Sequence, residues 1–380
     1  MRKSSKIFLI TNIPTPYRLP LFNELNRQLK IKELSLTVLF GAHGYANRKW
    51  KIDISKAEFD YRVLNSKKIQ FKSPENLSFT YSGLFRIISE ESPLIVIGNG
   101  FSLATSRLWL RSLIKSNHYL IWSEAIENQN KPISFLRKLQ RKLLVRGARG
   151  FIASGTRAKD YLISLGANPG SIEIGINAVD NDFFAKSRTN RKDINYDIKK
   201  HLLYVGQLNP RKNVLKVLKT VTLLSKNRSD FILDIVGDGE ERGILEEYVK
   251  ANKLGDFVKF HGFKQVEDIS LFYSQSDCFL FQTDFDVWGL VLVEAMAAGL
   301  PCIASIHAGA TQDLVIEGET GFAVDFLDTN RVVKKINWVL DNVEQSQQIG
   351  RNASLFIANN VNLKLSASGF VRAILRALES

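Results

Sequence analysis

The amino-acid sequence predicts an α/β protein with two doubly wound, Rossmann-like parallel-sheet domains that face each other across a cleft. Three observations predict this fold class. Short apolar strands alternate with helical stretches in the first half of the chain, and a second series of the same kind begins after a polar segment that ends near residue 200. The length of 380 residues is too great for one typical domain and suits two.

The first series supplies the elements of one parallel sheet. A strand at residues 7–10 precedes a helix at residues 19–29, and further strands are predicted at 34–40, 94–97, 119–122, 151–153 and 172–174. We place these elements in an N-terminal domain, residues 1–185. In such sheets ligands bind outside the carboxyl ends of the strands, so the loops that follow the strands are the first places to search for a site.

The second series follows a segment, residues 183–200, in which Lys, Arg, Asp and Asn dominate and which we interpret as the linker. Strands are predicted at residues 202–205, 231–236, 258–260, 278–281 and 302–304, with helices at 214–225, 240–253 and 289–298. Residues 327–380 are predicted to be helical. We assign residues 186–365 to a C-terminal domain and residues 366–380 to a last helix that can pack back on the N-terminal domain.

Composition limits the class of protein and its location. Hydrophobic residues make up 45% and charged residues 24% of the chain, as in ordinary globular proteins. Cys278 and Cys302 lie in apolar segments and are expected to be reduced core residues. Residues 1–6 lead directly into a strand, and no apolar run approaches the roughly 20 residues that span a bilayer. We therefore expect a cytoplasmic protein, or a cytoplasmic one that is peripheral on the inner face of the membrane.

The net charge of +14 indicates an anionic partner, which could be a nucleic acid, a membrane surface or a substrate. Part of it lies in residues 131–149, a predicted amphipathic helix with seven basic residues and no acidic one. The plainer interpretation is a helix that buries its leucines in its own domain; the functional one is contact with anionic lipid, and both can hold. Its basic residues are Lys131, Arg137, Lys138, Arg141, Lys142, Arg146 and Arg149, and its apolar ones are Phe135, Leu136, Leu139, Leu143 and Leu144.

The most informative segment is the loop and helix that follow the predicted strand at residues 278–281. Asp286 and Glu294 stand eight positions apart with Gly289 between them, and the helix stops at Gly299-Leu300-Pro301. A helix start presents free N–H groups and a positive dipole end, here beside two carboxylates. Such a site can hold a phosphate and a polyol together. A plain helix with an acidic start is the alternative, but it leaves the glycine and the small residues unexplained.

Two more loops follow strands of the same predicted domain. Gly206 ends one strand, and Arg211 and Lys212 precede the next helix, where they can clamp a diphosphate. A surface turn with solvated cations is the alternative. Phe263 comes just after the predicted strand at residues 258–260, at the edge where a base could be received, and His261 beside it is interpreted as a structural histidine.

These segments resemble the family 4 retaining glycosyltransferases, which have the two-domain GT-B fold; the resemblance covers nearly the whole chain and is densest between residues 202 and 324. Asp286 and Glu294 fall on the two positions of that family's Glu, seven residues, Glu signature. The family's Gly-Arg-Leu … Lys-Gly loop is matched by Gly206, Gln207, Leu208 and Lys212. The chain departs from the pattern where the first acid is an Asp and where the loop arginine is Gln207, a charge that Arg211 could supply.

The resemblance implies a role for each matched residue. Lys212 and Arg211 would bind the diphosphate together with the backbone amides of Gly289 and Leu290. Glu294 would hold the ribose, and the region of Phe263 would receive the base. Asp286 would meet the donor sugar and help to place its anomeric carbon.

The N-terminal domain offers candidates for the acceptor side of the cleft. The loop after the first strand contains Pro16, Tyr17 and Arg18, which could face the cleft; a rigid strand-to-helix connection is the alternative. Asn99 and Glu124 end two later strands at the same edge. Glu124 lies near the place where many relatives have a cleft histidine, and we interpret it as a second catalytic candidate beside Asp286.

The predicted activity is transfer of a sugar, with retention at the anomeric carbon, from a UDP- or GDP-linked donor to a hydroxyl of a glycan or lipid-linked acceptor. No metal or other cofactor is expected, because cations of the protein can neutralise the diphosphate; the Asp284-Phe285-Asp286 spacing is interpreted as coincidence. The alternatives are another GT-B enzyme, such as a nucleotide-sugar epimerase or a phosphorylase, and a basic nucleic-acid-binding module. The basic helix has few aromatic residues for base stacking, so a nucleic-acid partner is not predicted.

Overall fold

The computed structural model describes residues 5–44, 50, 52–64, 66–70, 77–114, 118–128, 132–189 and 199–379. The chain divides into two compact units. One consists of Met1–Val179 together with Leu363–Ser380, and the other is Asp180–Asn362. Each contains one parallel sheet with helices, which confirms the predicted α/β class.

The first unit is built on a seven-stranded sheet in the order β3-β2-β1-β6-β7-β8-β9. All six strand pairings are parallel, and β1 pairs with β2 from Lys6 opposite Ser35 to Thr11 opposite Phe40. The elements in chain order are β1 Lys6–Thr11, α1 Arg18–Lys30, β2 Ser35–Phe40, β3 Asp60–Val63, β4 Lys68–Gln70, β5 Leu77–Phe79, α2 Leu84–Glu91, β6 Ile95–Asn99, α3 Leu103–Ser112, β7 Tyr119–Ser123, α4 Phe135–Gly147, β8 Gly150–Ala153, α5 Thr156–Ser164 and β9 Ile172–Ile174.

The second unit is built on a six-stranded parallel sheet in the order β12-β11-β10-β13-β14-β15. Strands β11, β13 and β14 are buried along their whole length, as is usual where helices cover a parallel sheet, whereas the edge strand β12 has an exposed residue, Lys259. The elements are α6 Asn181–Thr189, β10 Lys200–Val205, α7 Leu215–Leu224, β11 Phe231–Val236, α8 Arg242–Ala251, β12 Val258–Gly262, α9 Val266–Gln275, β13 Cys278–Phe281, α10 Leu290–Ala297, β14 Cys302–Ser305, α11 Gly309–Leu314, β15 Phe322–Val324, α12 Thr329–Asp341 and α13 Val343–Asn360.

The last helix, α14 Leu363–Glu379, belongs to the first unit. Phe370 packs edge-on against Trp122 of β7 with the ring centroids 5.2 Å apart. A Cβ on Gly369 would lie 1.9 Å from the carbonyl oxygen of Ile174, so only glycine lets α14 come this close to β9. Glu173 of β9 also pairs with two arginines of α14, Arg372 and Arg376.

The order of strands reverses direction once in each sheet, and these switch points determine where ligands can bind. In the second unit the switch lies between β10 and β13, which end at Val205 and Phe281. In the first unit it lies between β1 and β6, which end at Thr11 and Asn99. The loops that the sequence singled out follow these strands.

The structure contains elements that the sequence analysis did not assign. They are strands β3, β4, β5 and β15 and helices α2, α3, α5, α6, α9 and α11. The edge strand Asp60–Val63 is mostly exposed and carries no apolar run. Helix α10 begins at Leu290, one residue later than predicted, with Gly289 as its N-cap residue. Glu294 lies in the second turn of this helix. Cys278 and Cys302 are buried free thiols, as expected.

Candidate functional site

The loop after β10 is held against its neighbours by close backbone contacts. The N–H of Gly206 donates to the carbonyl of Val236, 3.0 Å away. Gly237 has a φ of 152°, and a Cβ there would lie 1.8 Å from the carbonyl oxygen of Gly206. The turn after β11 thus lies directly on the Gly206 loop, and its glycines are required for this approach.

Two cations at the end of this loop, Arg211 and Lys212, both lie close to the carboxylate of Asp286. The Nζ of Lys212 lies 2.5 Å from Oδ2 of Asp286, and Nη1 of Arg211 lies 3.5 Å from the same oxygen. Arg211 also donates to the carbonyl of Phe285 at 2.9 Å. Lys212 is only 7% exposed. Sequence positions that are 74 residues apart are thereby joined at the switch point of the sheet.

The electrostatics of this pair follow from its burial. Burial alone would raise the pKa of the Asp286 carboxyl, but the charges of Lys212 and Arg211 outweigh that effect and lower the pKa. Asp286 is therefore ionised at neutral pH. Two cations face one carboxylate here, so the cluster retains positive charge that an anionic ligand could neutralise.

Asp284 has a cation of its own. Its carboxylate accepts hydrogen bonds from Lys216 at 2.7 Å, Asn213 at 2.8 Å and Gln282 at 2.9 Å. Burial would raise its pKa, but these donors lower it. In the part of the chain that the structure describes, no group of three or more His, Cys, Asp or Glu side chains has a geometry suited to a metal ion.

The start of α10 is open toward the same edge. Gly289 has a φ of 112°, and a Cβ there would lie 2.3 Å from Cζ of Phe281, so no other residue fits. No side chain caps this helix start. Within the described chain the N–H groups of Gly289 and Leu290 have no hydrogen-bond acceptor. They are available to an anion, as N–H groups at helix starts commonly are.

Glu294, the second acid of the signature, is half-buried and has a partner that the sequence did not reveal. Oη of Tyr273 donates to Oε2 of Glu294 at 2.9 Å. Burial raises the pKa of the Glu294 carboxyl to about 7, and the hydrogen bond from Tyr273 opposes that rise. No motif marks Tyr273, which lies 21 positions earlier on α9.

The loop that contains Phe263 follows β12, and Phe263 itself is half-buried. His261 at the end of β12 is tied to Asp234 of β11 by a contact of 2.7 Å from Nε2, and its ring packs against Phe272 with centroids 4.7 Å apart. Nδ1 of His201 lies 2.7 Å from the other oxygen of Asp234. These contacts agree with the structural role predicted for His261, since they anchor the strand that leads to Phe263.

In the first unit the structure brings two of the candidates together. Nη2 of Arg18 lies 3.1 Å from Oε1 of Glu124, and Nη1 donates to Oγ1 of Thr11 at 2.7 Å. The guanidinium lies over the ring of Trp122, 4.6 Å from its centroid. Asn177 donates to the same oxygen of Glu124 at 3.0 Å. No sequence motif marks Asn177, which follows β9 and lies 53 positions from Glu124.

Of the other candidates of this unit, Tyr17 borders that cluster, since its ring centroid lies 5.8 Å from Cζ of Arg18. Tyr17 precedes α1 as its N-cap residue, and its ring lies edge-on to Trp50 with centroids 6.0 Å apart. Pro16 is half-buried in the same loop. Asn99 is the last residue of β6, opposite Trp122 in register. Within the described residues, the side chain of Asn99 forms no hydrogen bond with Arg18, Glu124 or Asn177.

Helix α4 leaves most of its apolar side chains in solvent. Phe135 is 78% exposed and Leu136 75%, and Leu139 and Leu143 are exposed as well. Of the predicted apolar residues only Leu144 is buried, so the plainer interpretation of this helix is wrong for the other four. Lys131 lies outside the described residues. None of the helices in the described ranges is long and apolar enough to cross a membrane.

Comparison with known proteins identifies the second unit. Residues 186–356 match the family "Glycosyl transferases group 1". An uncharacterized glycosyltransferase from Haemophilus influenzae is 31% identical over 156 residues, which cover 41% of this chain and 44% of that protein. The alpha-D-kanosaminyltransferase of Streptomyces kanamyceticus is 27% identical over 190 residues, covering 50% of this chain and 48% of that enzyme. The chain thus spans about half the length of the curated relatives that it matches.

Solved structures extend the likeness to the whole fold. The crystal structure of HepE from Anabaena in complex with UDP superposes with a TM-score of 0.78 at 16% identity, covering 98% of this chain and 99% of that one. The match to the group 1 glycosyl transferases thus covers residues 186–356, and the likeness over the whole chain is one of fold. The predicted fold class, two parallel-sheet α/β domains of the GT-B type, is confirmed.

Proposed function

We propose that this protein is a retaining glycosyltransferase that transfers a sugar from a UDP- or GDP-linked donor to a hydroxyl of a glycan or lipid-linked acceptor, in the synthesis of cell-surface polysaccharide. One observation supports the proposal above the others. Two cations and an uncapped helix start lie at the switch point of a sheet within the residues that match the group 1 glycosyl transferases. HepE, with the same fold, was solved with UDP.

The diphosphate of the donor would bind beside Lys212 and Arg211, at the start of α10. Lys212 and Arg211 carry one positive charge more than Asp286 neutralises, and the N–H groups of Gly289 and Leu290 add dipoles of the same sign. As the bond to the sugar breaks, negative charge grows on the departing diphosphate. Charges that are already fixed in place stabilise that change without reorganisation. Arg211 would provide the charge that Gln207 lacks.

The two acids of the signature would hold the rest of the donor. Glu294 would accept hydrogen bonds from the ribose hydroxyls, and the loop at Phe263 would receive the base. Asp286, which Lys212 holds in the ionised form, would contact the sugar and place its anomeric carbon. Retention would follow if the acceptor attacks from the face that the diphosphate leaves, with a diphosphate oxygen taking the acceptor's proton.

We propose that this transfer needs no metal ion. Asp284 and Asp286 each have a lysine partner, at 2.7 and 2.5 Å, so neither carboxylate requires a divalent cation to balance it. Activity that survives incubation with EDTA supports this part of the proposal. Activity that EDTA abolishes and Mg²⁺ or Mn²⁺ restores would refute it.

Glu124 would be the polar contact of the first unit with the reacting groups. It is held by Arg18 and Asn177 at 3.1 and 3.0 Å, which fixes the orientation of its carboxylate. An oriented carboxylate at the end of a parallel strand can accept a hydrogen bond from a sugar hydroxyl. Tyr17 and Pro16, in the loop before α1, would border the acceptor.

Helix α4 would bring the enzyme to a membrane that carries the acceptor. Its exposed Phe135 and Leu136 stand among basic side chains, and α4 contains no acidic residue. Side chains of α3 extend the apolar surface: Gln140 of α4 donates to Ser106 of α3, and Leu110 of α3 is 51% exposed. An apolar face bordered by Lys and Arg binds anionic lipid surfaces. Vesicles with and without anionic lipid would test this part, with Phe135→Ser and Leu136→Ser together as the variant.

The direct test of the proposed activity is a screen of nucleoside diphosphates by thermal shift, followed by turnover assays with the matching nucleotide sugar. A bound ligand raises the apparent stability by roughly 2.7 kcal/mol at a hundred times its Kd. Transfer that depends on an added glycan or lipid-linked acceptor is expected. Fast turnover without any acceptor would favour an epimerase or a phosphorylase instead. Tight RNA or DNA binding without nucleotide-sugar binding would refute the enzyme.

A further inference from the structure

Tyr273 is a buried phenol whose hydroxyl reaches the acid assigned to the ribose. The residue is 0% exposed, and its Oη lies 2.9 Å from Oε2 of Glu294 and 3.3 Å from the carbonyl oxygen of Val291. Two rings fix its position. Phe184 of α6 and Phe279 of β13 pack edge-on against it, with centroids 5.9 and 5.8 Å away. A hydroxyl fixed in this way has few alternative directions.

We propose that Tyr273 is a positioning residue for Glu294: it holds Oε2 of the carboxylate and leaves Oε1 for the ribose hydroxyls of the donor. Among the residues that the structure describes, none donates to Oε1. The inference rests on the proposed function and deepens it, since it names the group that prepares the nucleotide subsite.

The chemistry of the ribose explains why such a residue is needed. A ribose diol offers two donors, so the acid that binds it must act as an acceptor, and an ionised carboxylate accepts more strongly than a protonated carboxyl group. Burial raises the pKa of Glu294 to about 7. The hydroxyl of Tyr273 donates to the ionised form and stabilises it. The pKa of Tyr273 itself is raised well above its ordinary value by burial, so the phenol stays a donor.

The sign of the pH effect follows. Ribose binds more strongly to ionised Glu294, so nucleotide affinity should fall as the pH drops through about 7. Replacing Tyr273 by Phe keeps the packed ring and removes the donor, so the pKa of Glu294 rises further. The loss of affinity then begins at a higher pH. One unit of pKa corresponds to about a tenfold change in affinity at a pH below both pKa values.

The experiment is titration calorimetry of UDP and of GDP, whichever binds, against wild type and Tyr273→Phe between about pH 6 and pH 9. If the pKa rises by about one unit, the variant should bind about tenfold more weakly at about pH 6, about fivefold more weakly at about pH 7, and near pH 9 it should approach wild type. Tyr248→Phe is the matched control, because it also removes a hydroxyl of this unit, one that lies 3.1 Å from Oγ1 of Thr222. Its profile should follow that of wild type.

A second variant keeps the test decisive if Tyr273→Phe does not fold. Glu294→Gln retains an acceptor for Tyr273 but cannot titrate, so its weak affinity should not change across this pH range. A Tyr273→Phe profile identical to wild type would overturn the inference. So would a loss of affinity of equal size at every pH, which would indicate a packing role alone. If wild type binds no nucleoside diphosphate, the proposed function itself fails.

Discussion

Each unit places an ion pair where a strand beside its switch point ends, and the two pairs are built differently. In the second unit one carboxylate, Asp286, faces both Lys212 and Arg211. In the first, one guanidinium serves one carboxylate, and Glu124 receives its second hydrogen bond from the neutral Asn177. The first cluster is balanced in charge, whereas the second has an excess of positive charge.

This difference indicates what each cluster can bind. Excess positive charge in a water-poor site suits a dianion such as a diphosphate, because the ligand completes the neutralisation. A balanced and fully oriented pair attracts no anion strongly, but it can align neutral hydroxyl groups. We therefore expect the loss of a cation of the second unit to lower nucleotide binding and turnover together, and variants of the first unit to lower turnover alone.

The largest effect is expected for Lys212→Ala. It removes the closest partner of Asp286 and the main charge for the diphosphate, so kcat/KM should fall by roughly a thousandfold and UDP affinity should fall with it. Steady-state kinetics and calorimetry would measure both. Lys219→Ala is the control, because Lys219 is an exposed lysine on α7, the helix that follows Lys212. Unchanged nucleotide affinity in Lys212→Ala would contradict the proposal that the positively charged cluster of the second unit binds the diphosphate.

A smaller loss, of about a hundredfold in kcat, is expected for Asp286→Ala, because the sugar is then no longer held in its reactive position. The affinity for UDP should change much less than kcat, since Lys212 and Arg211 remain. Asp286→Glu restores the methylene that the family pattern has and serves as the paired variant. Equal losses in kcat and in UDP affinity would contradict the division of roles between Asp286 and the cations.

Glu124→Gln tests the balanced pair of the first unit. The amide oxygen can still accept from Arg18 and Asn177, but the charge of Arg18 loses its counter-ion. We expect kcat to fall by about tenfold while UDP affinity stays at the wild-type value. Ser164→Ala, a change in a hydroxyl of the same unit that bonds only to its own helix at Tyr161, serves as the control. A large drop in UDP affinity would show that this cluster also binds the diphosphate.

The smallest effect concerns stability and involves Glu294. Its folded pKa of about 7 is above the ordinary value, so the native state holds a proton that the unfolded chain has lost, and stability falls as the pH rises from about 4.5 to 7. Glu294→Gln removes the free-energy cost of ionising a buried carboxyl group. It should therefore raise the free energy of unfolding at neutral pH by about 1–3 kcal/mol, although nucleotide binding is impaired. Thermal unfolding at neutral pH and at about pH 4 measures it, and the gain should vanish at the lower pH.

The parts of the site that the sequence predicted are those with a local pattern. Asp286, Gly289 and Glu294 lie within one loop and helix, where spacing alone indicates a shared edge. Lys212 could be added because parallel strands bring their carboxyl ends together. Asn177 and Tyr273 could not be found, since a hydrogen bond across 53 or 21 positions leaves no periodic signal.

The same reasoning explains what the sequence missed in the fold. Buried strands such as β13 and β14 are mostly apolar and were predicted to within one residue. The edge strand β3 is held in the sheet by backbone pairing with β2, and its side chains are mostly exposed. Its sequence therefore carries no hydrophobic pattern. The burial of α4 could not be decided from the sequence, because an amphipathic pattern does not say whether protein or another surface covers the apolar face.

The path of the chain through α14 has a consequence for how the protein is made. The first unit is completed only by Leu363–Glu379, so the second unit is an insertion between two parts of one folding domain. During synthesis, β7 and β8 emerge long before the helix whose Phe370 covers Trp122. The inserted unit can fold as soon as Asn362 is free, whereas its host must wait with part of its apolar surface uncovered. Nascent chains that end before residue 363 should bind a chaperone through the first unit and not the second.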